Sequence, residues 1–327
     1  MKYGKVQGVD KPVSRLVLGT MIINANEQPR SSELLDAAFE LGCTTFDTAH
    51  VYGGGNSERG LGVWMRERGN REKVVILSKG AIPNGDRNRV TPFDITSDLH
   101  DSLARLKSSY IDIYLLHRDD PSVPVGPIVE VLNEHLRAGR IRAFGGSNWT
   151  HERLQAANDY AVGHGLVPFT ASSPNYGLAE QVEDPWGPGC TTLSGPTMAA
   201  ARAWYRAQNM PVFAYSSLGR GFFSGRVSRA NFEMTKAQLD GACVKAYCHE
   251  VNFRRLDRVE QLAKERGLTV PQIAMAWILK QPLHVFAIVG AATREEFRAH
   301  VDVLQASLSN EESAWLNLES EQRNGNR

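Results

Sequence analysis

The sequence predicts one α/β domain in which eight parallel strands close into a (β/α)8 barrel. Strand-like apolar runs alternate with helix-like runs eight times along the 327 residues, which is the pattern of a parallel sheet. A closed barrel takes roughly 250 residues, and no linker-like Gly/Ser or Pro tract divides the chain. The remaining length lies mainly in two long loops, residues 175–195 and 218–249, which we expect on the C-terminal face of the barrel.

The predicted strands are short apolar runs of the kind that a parallel sheet buries on both faces. They are residues 15–19, 44–47, 74–78, 111–116, 141–145, 169–172, 212–215 and 285–289.

The first predicted helix begins at a cap residue, Ser31, and ends at Gly42, because serine favours the start and glycine the end of a helix. Similar signals predict helices at residues 96–106, 125–138, 150–163, 196–209 and 270–279. A polar tail, residues 319–327, follows the last of the barrel elements.

The composition excludes several classes of partner. A net charge of +1 gives no field that would gather nucleic acid or an anionic membrane. The N-terminus lacks the apolar stretch of a signal peptide, and the longest apolar run, residues 273–279, is too short to cross a bilayer. Four cysteines without a CxxC pair fit a reducing compartment. We therefore expect a cytoplasmic protein that acts on a small molecule.

Groups capable of proton chemistry stand at the ends of three predicted strands, where a buried strand would otherwise be apolar. These are Asp47, Lys79 and His117. In a parallel barrel all strand C-termini open on the same face, so the three can meet in one pocket. Each alone has an ordinary structural explanation: a turn residue, a surface charge, or a buried core histidine.

Tyr52, five residues after Asp47, supplies a proton donor. A phenol with a pKa near 10 is a poor acid at neutral pH unless a cation stabilises the phenolate, and Lys79 is a candidate for that cation. Asp47 would keep the ammonium charged, and His117 would orient a carbonyl or relay a proton. Together the four residues describe an acid placed to protonate an oxygen on which negative charge develops.

Four segments resemble the signature motifs of the aldo-keto reductase family. They are residues 46–53, 78–80, 111–117 and 146–149, and the resemblance extends from a hairpin before Arg15 to the segment around Gly290. It implies a single-domain (β/α)8 TIM barrel with an N-terminal β-hairpin, which reduces carbonyls with a nicotinamide cofactor. It also implies that Asp47, Tyr52, Lys79 and His117 form the catalytic tetrad, with the tyrosine as general acid.

The resemblance further implies where the cofactor binds. Ser147 and Asn148 would hold the nicotinamide carboxamide, although helix capping is the alternative for such a pair. Tyr215 would stack on the nicotinamide ring. A Rossmann fingerprint is not matched at residues 219–225, because the third glycine is misplaced. The other candidate cofactor residues are Thr20, Met21, Asp47, Ser173, Ser216, Ser217, Leu218, Gly219, Arg220, Gly221 and Arg226.

The adenosine end of the cofactor is expected beside the eighth strand, at Gly290, Thr293, Glu296 and His300. The sequence departs here from the common pattern of the family. Ala291 and Ala292 follow the glycine, and the first basic residue is Arg294. NADP(H) is the expected cofactor, and NAD(H) remains open as the alternative.

The substrate is left open between two classes. Trp186, Phe222 and Phe223 in the long loops would line an apolar pocket for an aromatic aldehyde. Alternatively, sugar hydroxyls would be bound by polar residues: His50, Asp119, Asp120 and the stretch 180–184.

Two further functions are kept as alternatives. One is a cofactor-binding sensor or regulatory subunit with little turnover, and the other is a metal-dependent sugar isomerase, for which the strand ends offer few ligands.

Overall fold

The computed structural model describes residues 1–323, and within them eight parallel strands form a closed barrel surrounded by helices. The predicted (β/α)8 fold is therefore confirmed. Of the polar tail predicted at residues 319–327, residues 324–327 lie outside the described part of the chain.

The strands agree with the prediction within a few residues at each end. An antiparallel hairpin, β1 (Tyr3–Val6) and β2 (Val9–Ser14), precedes the barrel, as the resemblance implied. The barrel strands are β3 (Leu16–Gly19), β4 (Thr45–Asp47), β5 (Val75–Gly80), β6 (Ile111–Leu116), β7 (Ile141–Ser147), β8 (Ala171–Ser173), β9 (Val212–Ala214) and β10 (Val285–Val289). Each pairs with its neighbours in chain order, and β10 closes the barrel against β3.

The helices of the described residues cover the outside of the barrel. They are α1 (Gln28–Glu40), α2 (Asn56–Arg68), α3 (Pro92–Leu106), α4 (Val125–Arg137), α5 (His151–Gly163), α6 (Ala199–Ala207), α7 (Phe232–Thr235), α8 (Gly241–Tyr247), α9 (Glu250–Arg266), α10 (Val270–Lys280), α11 (Arg294–Asp302) and α12 (Asn310–Leu316).

The prediction that Ser31 caps the first helix is wrong. The helix begins three residues earlier, with Pro29 in its first turn, a position where proline costs no backbone hydrogen bond. Ser31 is buried, and its hydroxyl donates to the carbonyl of Asn24 over 3.0 Å. The serine therefore anchors the preceding loop rather than the helix N-terminus.

The second long loop is also more ordered than predicted. Residues 218–249 contain α7 and α8, and the long helix α9, which the sequence interpretation missed, follows directly. Phe222 and Phe223 are fully buried, and Phe222 packs edge-on against Phe253 of α9. The two phenylalanines attach the loop to the outer core, so the expectation that they line a substrate pocket is wrong.

The hydrophobic core has two parts, and together they leave one end of the barrel open for a site. The interior is filled by strand residues such as Leu77, Ile113 and the stacked rings of Phe213 and Phe286, 4.8 Å apart. Val6 and Val13 of the hairpin pack onto this interior and close its N-terminal end. A larger cluster fills the layer between strands and helices. No helix among residues 1–323 is long and apolar enough to span a membrane.

Candidate active site

The structure brings the four proton-chemistry residues together at the open end of the barrel. Asp47 ends β4, Lys79 lies near the end of β5, and His117 directly follows β6. These three strands are neighbours in the barrel. Tyr52 begins a short 3-10 turn, Tyr52–Gly55, in the loop after β4. The closed barrel thus brings together side chains from three strand ends.

Lys79 is the centre of this group. Its ammonium is paired with the Asp47 carboxylate and donates to the carbonyl of Thr48 at 3.0 Å. It also lies 3.5 Å from the phenol oxygen of Tyr52. Lys79 and Asp47 are only 3% and 4% exposed, so bulk water screens this charge pair weakly.

The charges around Lys79 favour its protonated form. Burial alone would lower the pKa of the amine, but Asp47 and Tyr52 together raise that pKa above its usual value. Burial raises the pKa of the Tyr52 phenol, and the ammonium of Lys79 opposes the rise. The cation lies where the sequence predicted it, but it does not outweigh burial, so Tyr52 holds its proton at neutral pH.

His117 is a neutral imidazole beside the phenol. Burial, together with the positive charges of Lys79 and Arg118, holds the pKa of His117 well below its usual value. The His117 and Tyr52 rings meet edge-on, with centroids 5.9 Å apart. Nδ1 of His117 is buried and has no hydrogen-bond partner among residues 1–323. A neutral imidazole suits hydrogen bonding to a substrate oxygen rather than charge stabilisation.

The residues expected to bind the nicotinamide form a hydrogen-bonded group beside His117. The Asn148 amide donates to the His117 carbonyl at 3.2 Å and accepts from the Tyr215 hydroxyl at 2.7 Å. Ser147 donates to the Ser173 carbonyl at 2.9 Å, and the Ser173 hydroxyl donates to the Phe213 carbonyl. Thr150 caps α5, so the alternative that Ser147 or Asn148 is the cap of this helix is wrong.

This group fits a carboxamide-bearing aromatic ring in its chemistry. It offers an amide, the hydroxyls of Ser147 and Ser173, and the Tyr215 ring, next to His117. The fit requires one exchange, because both ends of the Asn148 amide already have intramolecular partners, including the Thr191 backbone N–H at 3.2 Å.

The segment after β9 forms a tight turn suited to an anion. Ser216, Gly219, Arg220 and Gly221 all have positive φ, a conformation found in anion-binding backbone concavities. Arg220 is paired with Asp240 at 2.5 Å, so its charge is already partly balanced. The neighbouring candidates differ in exposure: Ser217 is buried, with its hydroxyl bonded to backbone carbonyls, Leu218 is half-buried and Arg226 is exposed.

The candidates for the adenosine end also lie together, after β10. Thr293 caps α11, and Glu296 accepts from the backbone N–H of Ala292 at 2.7 Å. Gly290 is exposed and His300 is buried. Arg294, the first basic residue after the glycine, is paired with Glu40 of α1 at 2.5 Å. Its guanidinium is therefore already in an ion pair with another side chain.

A groove of about 1000 Å³ lies between α1 and the start of α11. Glu40, Thr293 and Arg294 line it, and none of the four proton-chemistry residues does. The groove therefore lies beside the residues predicted for the adenosine end and away from the proton-chemistry residues.

Exposed apolar side chains stand on the loops after β3, β4 and β8, which all open on the face of the tetrad. They are Met21 (57% exposed), Ile22, Val51 and Trp186 (48% exposed). The Trp186 ring lies 6.0 Å from the Tyr215 ring. Thr20, by contrast, is fully buried and bonds the Asp47 carbonyl through its hydroxyl. This hydrogen bond holds the end of β4, which carries Asp47, against the loop after β3.

The polar residues proposed to hold sugar hydroxyls are already engaged with the protein. His50 contacts Asp101 at 3.1 Å, and Asp119 is paired with Arg153 at 2.9 Å. Asp120 accepts from the Ser122 hydroxyl. In the stretch 180–184, Glu180 pairs with Arg255 of α9.

One residue beside the site was missed by sequence reasoning. Arg118 directly follows His117, and its guanidinium donates to the carbonyl of Gly189 at 2.7 Å and to the Cys190 sulfur at 3.1 Å. It thus ties the end of β6 to the loop that carries Trp186. Its place next to a strand-end histidine was the available signal.

Comparisons with known proteins agree with this architecture. The family model described as Aldo/keto reductase family matches residues 15–317. Aldo-keto reductase YhdN of Bacillus subtilis is 28% identical over 97% of this chain and 93% of its own length. Aldo-keto reductase yakc [NADP(+)] of Schizosaccharomyces pombe is 27% identical over 91% of this chain and 85% of its own. The solved structure of a glycerol dehydrogenase from Gluconobacter oxydans superposes with a TM-score of 0.75 at 23% identity, covering 99% of this chain and 96% of the other.

Proposed function

This chain belongs to the aldo/keto reductase family, and on that premise we propose that it reduces an aldehyde or ketone to an alcohol with Tyr52 as the general acid. The observation that carries the proposal is the 3.5 Å contact between the Lys79 ammonium and the Tyr52 phenol oxygen, beside the neutral imidazole of His117. Such a constellation delivers a proton to an oxygen as negative charge grows on it.

A reduced nicotinamide, when bound, supplies the hydride. Its ring and carboxamide would be held by Ser147, Asn148, Ser173 and Tyr215. Its phosphates would bind at the turn around Gly219. This chain's own residues do the rest. His117 hydrogen-bonds the carbonyl oxygen and orients it, and Tyr52 passes its proton to that oxygen. Lys79, kept charged by Asp47, stabilises the phenolate that remains.

Among substrates, an apolar or aromatic carbonyl compound fits better than a sugar. The exposed side chains of Met21, Val51 and Trp186 offer apolar contact at the mouth. His50, Asp119 and Asp120 would have to give up existing bonds before binding hydroxyls.

For the cofactor, two observations oppose each other. A relative is named as an NADP(+) enzyme, which favours NADP(H). The ion pair of Arg294 with Glu40 leaves that base less able to bind a 2′-phosphate, which allows NAD(H). We take NADP(H) as the cofactor and the Glu40–Arg294 pair as the feature that limits the preference.

The test is a multiple-turnover assay in which reduced-nicotinamide absorbance is followed with both cofactors. The substrates are benzaldehyde-type compounds and open-chain or cyclic sugars. We expect continuous oxidation of the cofactor, faster with the aromatic aldehydes. Cofactor oxidation that stops after one equivalent per protein would contradict the proposed enzyme and favour the sensor alternative.

A further inference from the structure

Glu58 is a carboxylate with no exposed surface at the back of the active-site loop. It lies in the first turn of α2. One of its oxygens accepts a hydrogen bond from the Ser78 hydroxyl at 2.7 Å, and the other pairs with Arg105 of α3 at 3.3 Å. Ser78 directly precedes Lys79 in β5. Through Ser78, the Glu58 carboxylate therefore binds β5, the strand that carries Lys79.

Arg105 extends this contact to the loop that carries Tyr52. Its guanidinium donates to the carbonyl of His50 at 2.8 Å. On the other side of Tyr52, Gly55 has φ +88°, and a Cβ placed there would lie 2.8 Å from the guanidinium carbon of Arg105. The Arg105 guanidinium therefore contacts the loop on both sides of Tyr52, at His50 and at Gly55.

Two further bonds hold the same loop. The backbone N–H of His50 donates to the carbonyl of Lys79 at 2.8 Å. The His50 ring contacts Asp101 at 3.1 Å and lies 3.8 Å from Asp98. Glu58 and Arg105 thus connect a strand, a helix and a loop that meet at the 3.5 Å contact between Lys79 and Tyr52.

Stability alone is a weak explanation for this pair. Burying a carboxylate and a guanidinium carries a desolvation cost, and apolar side chains of the same volume often stabilise a protein as well or better. Apolar groups would not supply directional bonds to Ser78 and to the His50 carbonyl. Glu58 also has no contact with the mouth of the barrel that would let it exchange a proton with a substrate.

We propose that Glu58 and Arg105 are positioning residues that hold the Tyr52 loop in register with Lys79. They act through the phenol and touch neither substrate nor cofactor. This inference rests on the proposed role of Tyr52 as the acid. A displacement of about 1 Å at a reacting group can cost on the order of a hundredfold in rate, so the loop needs an anchor stiffer than its glycines provide.

The test measures Glu58→Gln in the natural background and in a Tyr52→Phe background. In the natural background we expect kcat to fall about 10- to 100-fold, with KM for the aldehyde and Kd for the cofactor nearly unchanged. In the Tyr52→Phe background the same substitution should leave the residual kcat nearly unchanged, because the group through which it acts is gone. A general structural defect would lower activity by the same factor in both backgrounds.

Asp112→Asn is the matched control. Asp112 is equally buried, pairs with Arg71 at 2.8 Å and Lys11 at 2.8 Å, and lies at the opposite end of the barrel strands. We expect this variant to lose stability with kcat retained. If Glu58→Gln does not accumulate as folded protein, Arg105→Lys, which keeps the charge but shortens the reach, carries the same test.

Three outcomes separate the claims. Loss of kcat that disappears in the Tyr52→Phe background supports the inference. Equal losses in both backgrounds, or full activity of a folded Glu58→Gln, overturn the inference alone. Wild-type turnover by Tyr52→Phe itself overturns the proposed function, and the inference with it.

Discussion

The ammonium of Lys79 lies 3.5 Å from the phenol oxygen of Tyr52 while it is paired with the Asp47 carboxylate. The ion pair and the phenol come from one loop and two neighbouring strands, and only the closure of the barrel brings them together. This relationship determines how readily the phenol can give up and regain a proton.

The double variant Asp47→Asn/Lys79→Met removes both charges at once, so neither is left buried without a partner. Lys79 lowers the pKa of the Tyr52 phenol more than Asp47 raises it, so removing both side-chain charges lets burial raise that pKa further. We expect turnover to fall by roughly two orders of magnitude or more. The pH profile of alcohol oxidation, which needs the phenolate, should move to higher pH. If the ascending limb of that profile, where oxidation rises with pH, does not move, Lys79 does not tune the pKa of Tyr52.

His117 makes stability dependent on pH below its ordinary pKa of 6.5. The folded chain keeps the ring neutral, whereas the unfolded chain protonates it near 6.5, so the unfolded state binds more protons and is favoured as the pH falls. His117→Gln should therefore show a shallower loss of stability between pH 6.5 and 5, by up to about 1.4 kcal/mol per pH unit. Urea unfolding of both proteins across this range checks it. Parallel curves would show that His117 does not titrate abnormally.

Trp186→Ala tests the apolar mouth. The indole is about half exposed and lies beside Tyr215, so its removal should raise KM for aromatic aldehydes about tenfold while Tm stays near the natural value. Steady-state kinetics on an aromatic and a small aliphatic aldehyde provide the comparison. An equal change for both aldehydes would remove Trp186 from substrate recognition.

Phe223→Ala is the counterpart of that variant. The sequence predicted Phe223 in the substrate pocket, but the structure places it in the core. Its side chain is fully buried, so truncation should destabilise the protein by about 3–5 kcal/mol. KM measured at a temperature where the variant is folded should be close to natural. A stable variant with a raised KM would return Phe223 to the substrate pocket.

Glu40→Gln tests the control of cofactor choice. Releasing Arg294 from its 2.5 Å ion pair makes its guanidinium available to a 2′-phosphate. The Kd for NADPH, measured by quenching of protein fluorescence, should fall several-fold, roughly the 1 kcal/mol of one exposed charge contact. The Kd for NADH should not change, and a parallel shift for both cofactors would exclude the proposed selectivity.

The sequence contained enough to predict the barrel and the meeting of Asp47, Tyr52, Lys79 and His117 at one end of it. A strand end such as Leu116 followed by His117 is a local signal. A polar residue that ends an apolar run can be recognised from its neighbours in the sequence, without knowing its contacts in the fold. The rule that parallel strands end on one face then converts separate positions into one site. Thr150 as the cap of α5 was predictable for the same reason, since capping depends on neighbouring residues.

What could not be predicted depends on distant partners. Glu58 looks like an ordinary acidic residue in the first turn of a helix, and nothing local indicates that Arg105, 47 positions later, will meet it. Likewise, Arg294 pairs with a residue 254 positions earlier. Phe222 and Phe223 belong to a loop by sequence, but α9, which the pattern analysis missed, covers them.

The most direct test of the central claim is turnover by Tyr52→Phe with the cofactor Kd measured on the same sample. Single-turnover reduction of an aromatic aldehyde should slow by roughly two to four orders of magnitude, while the Kd for the reduced cofactor stays close to natural, because the phenol takes no part in holding it. A variant that binds cofactor normally and reduces the aldehyde at the natural rate would show that the proton comes from elsewhere.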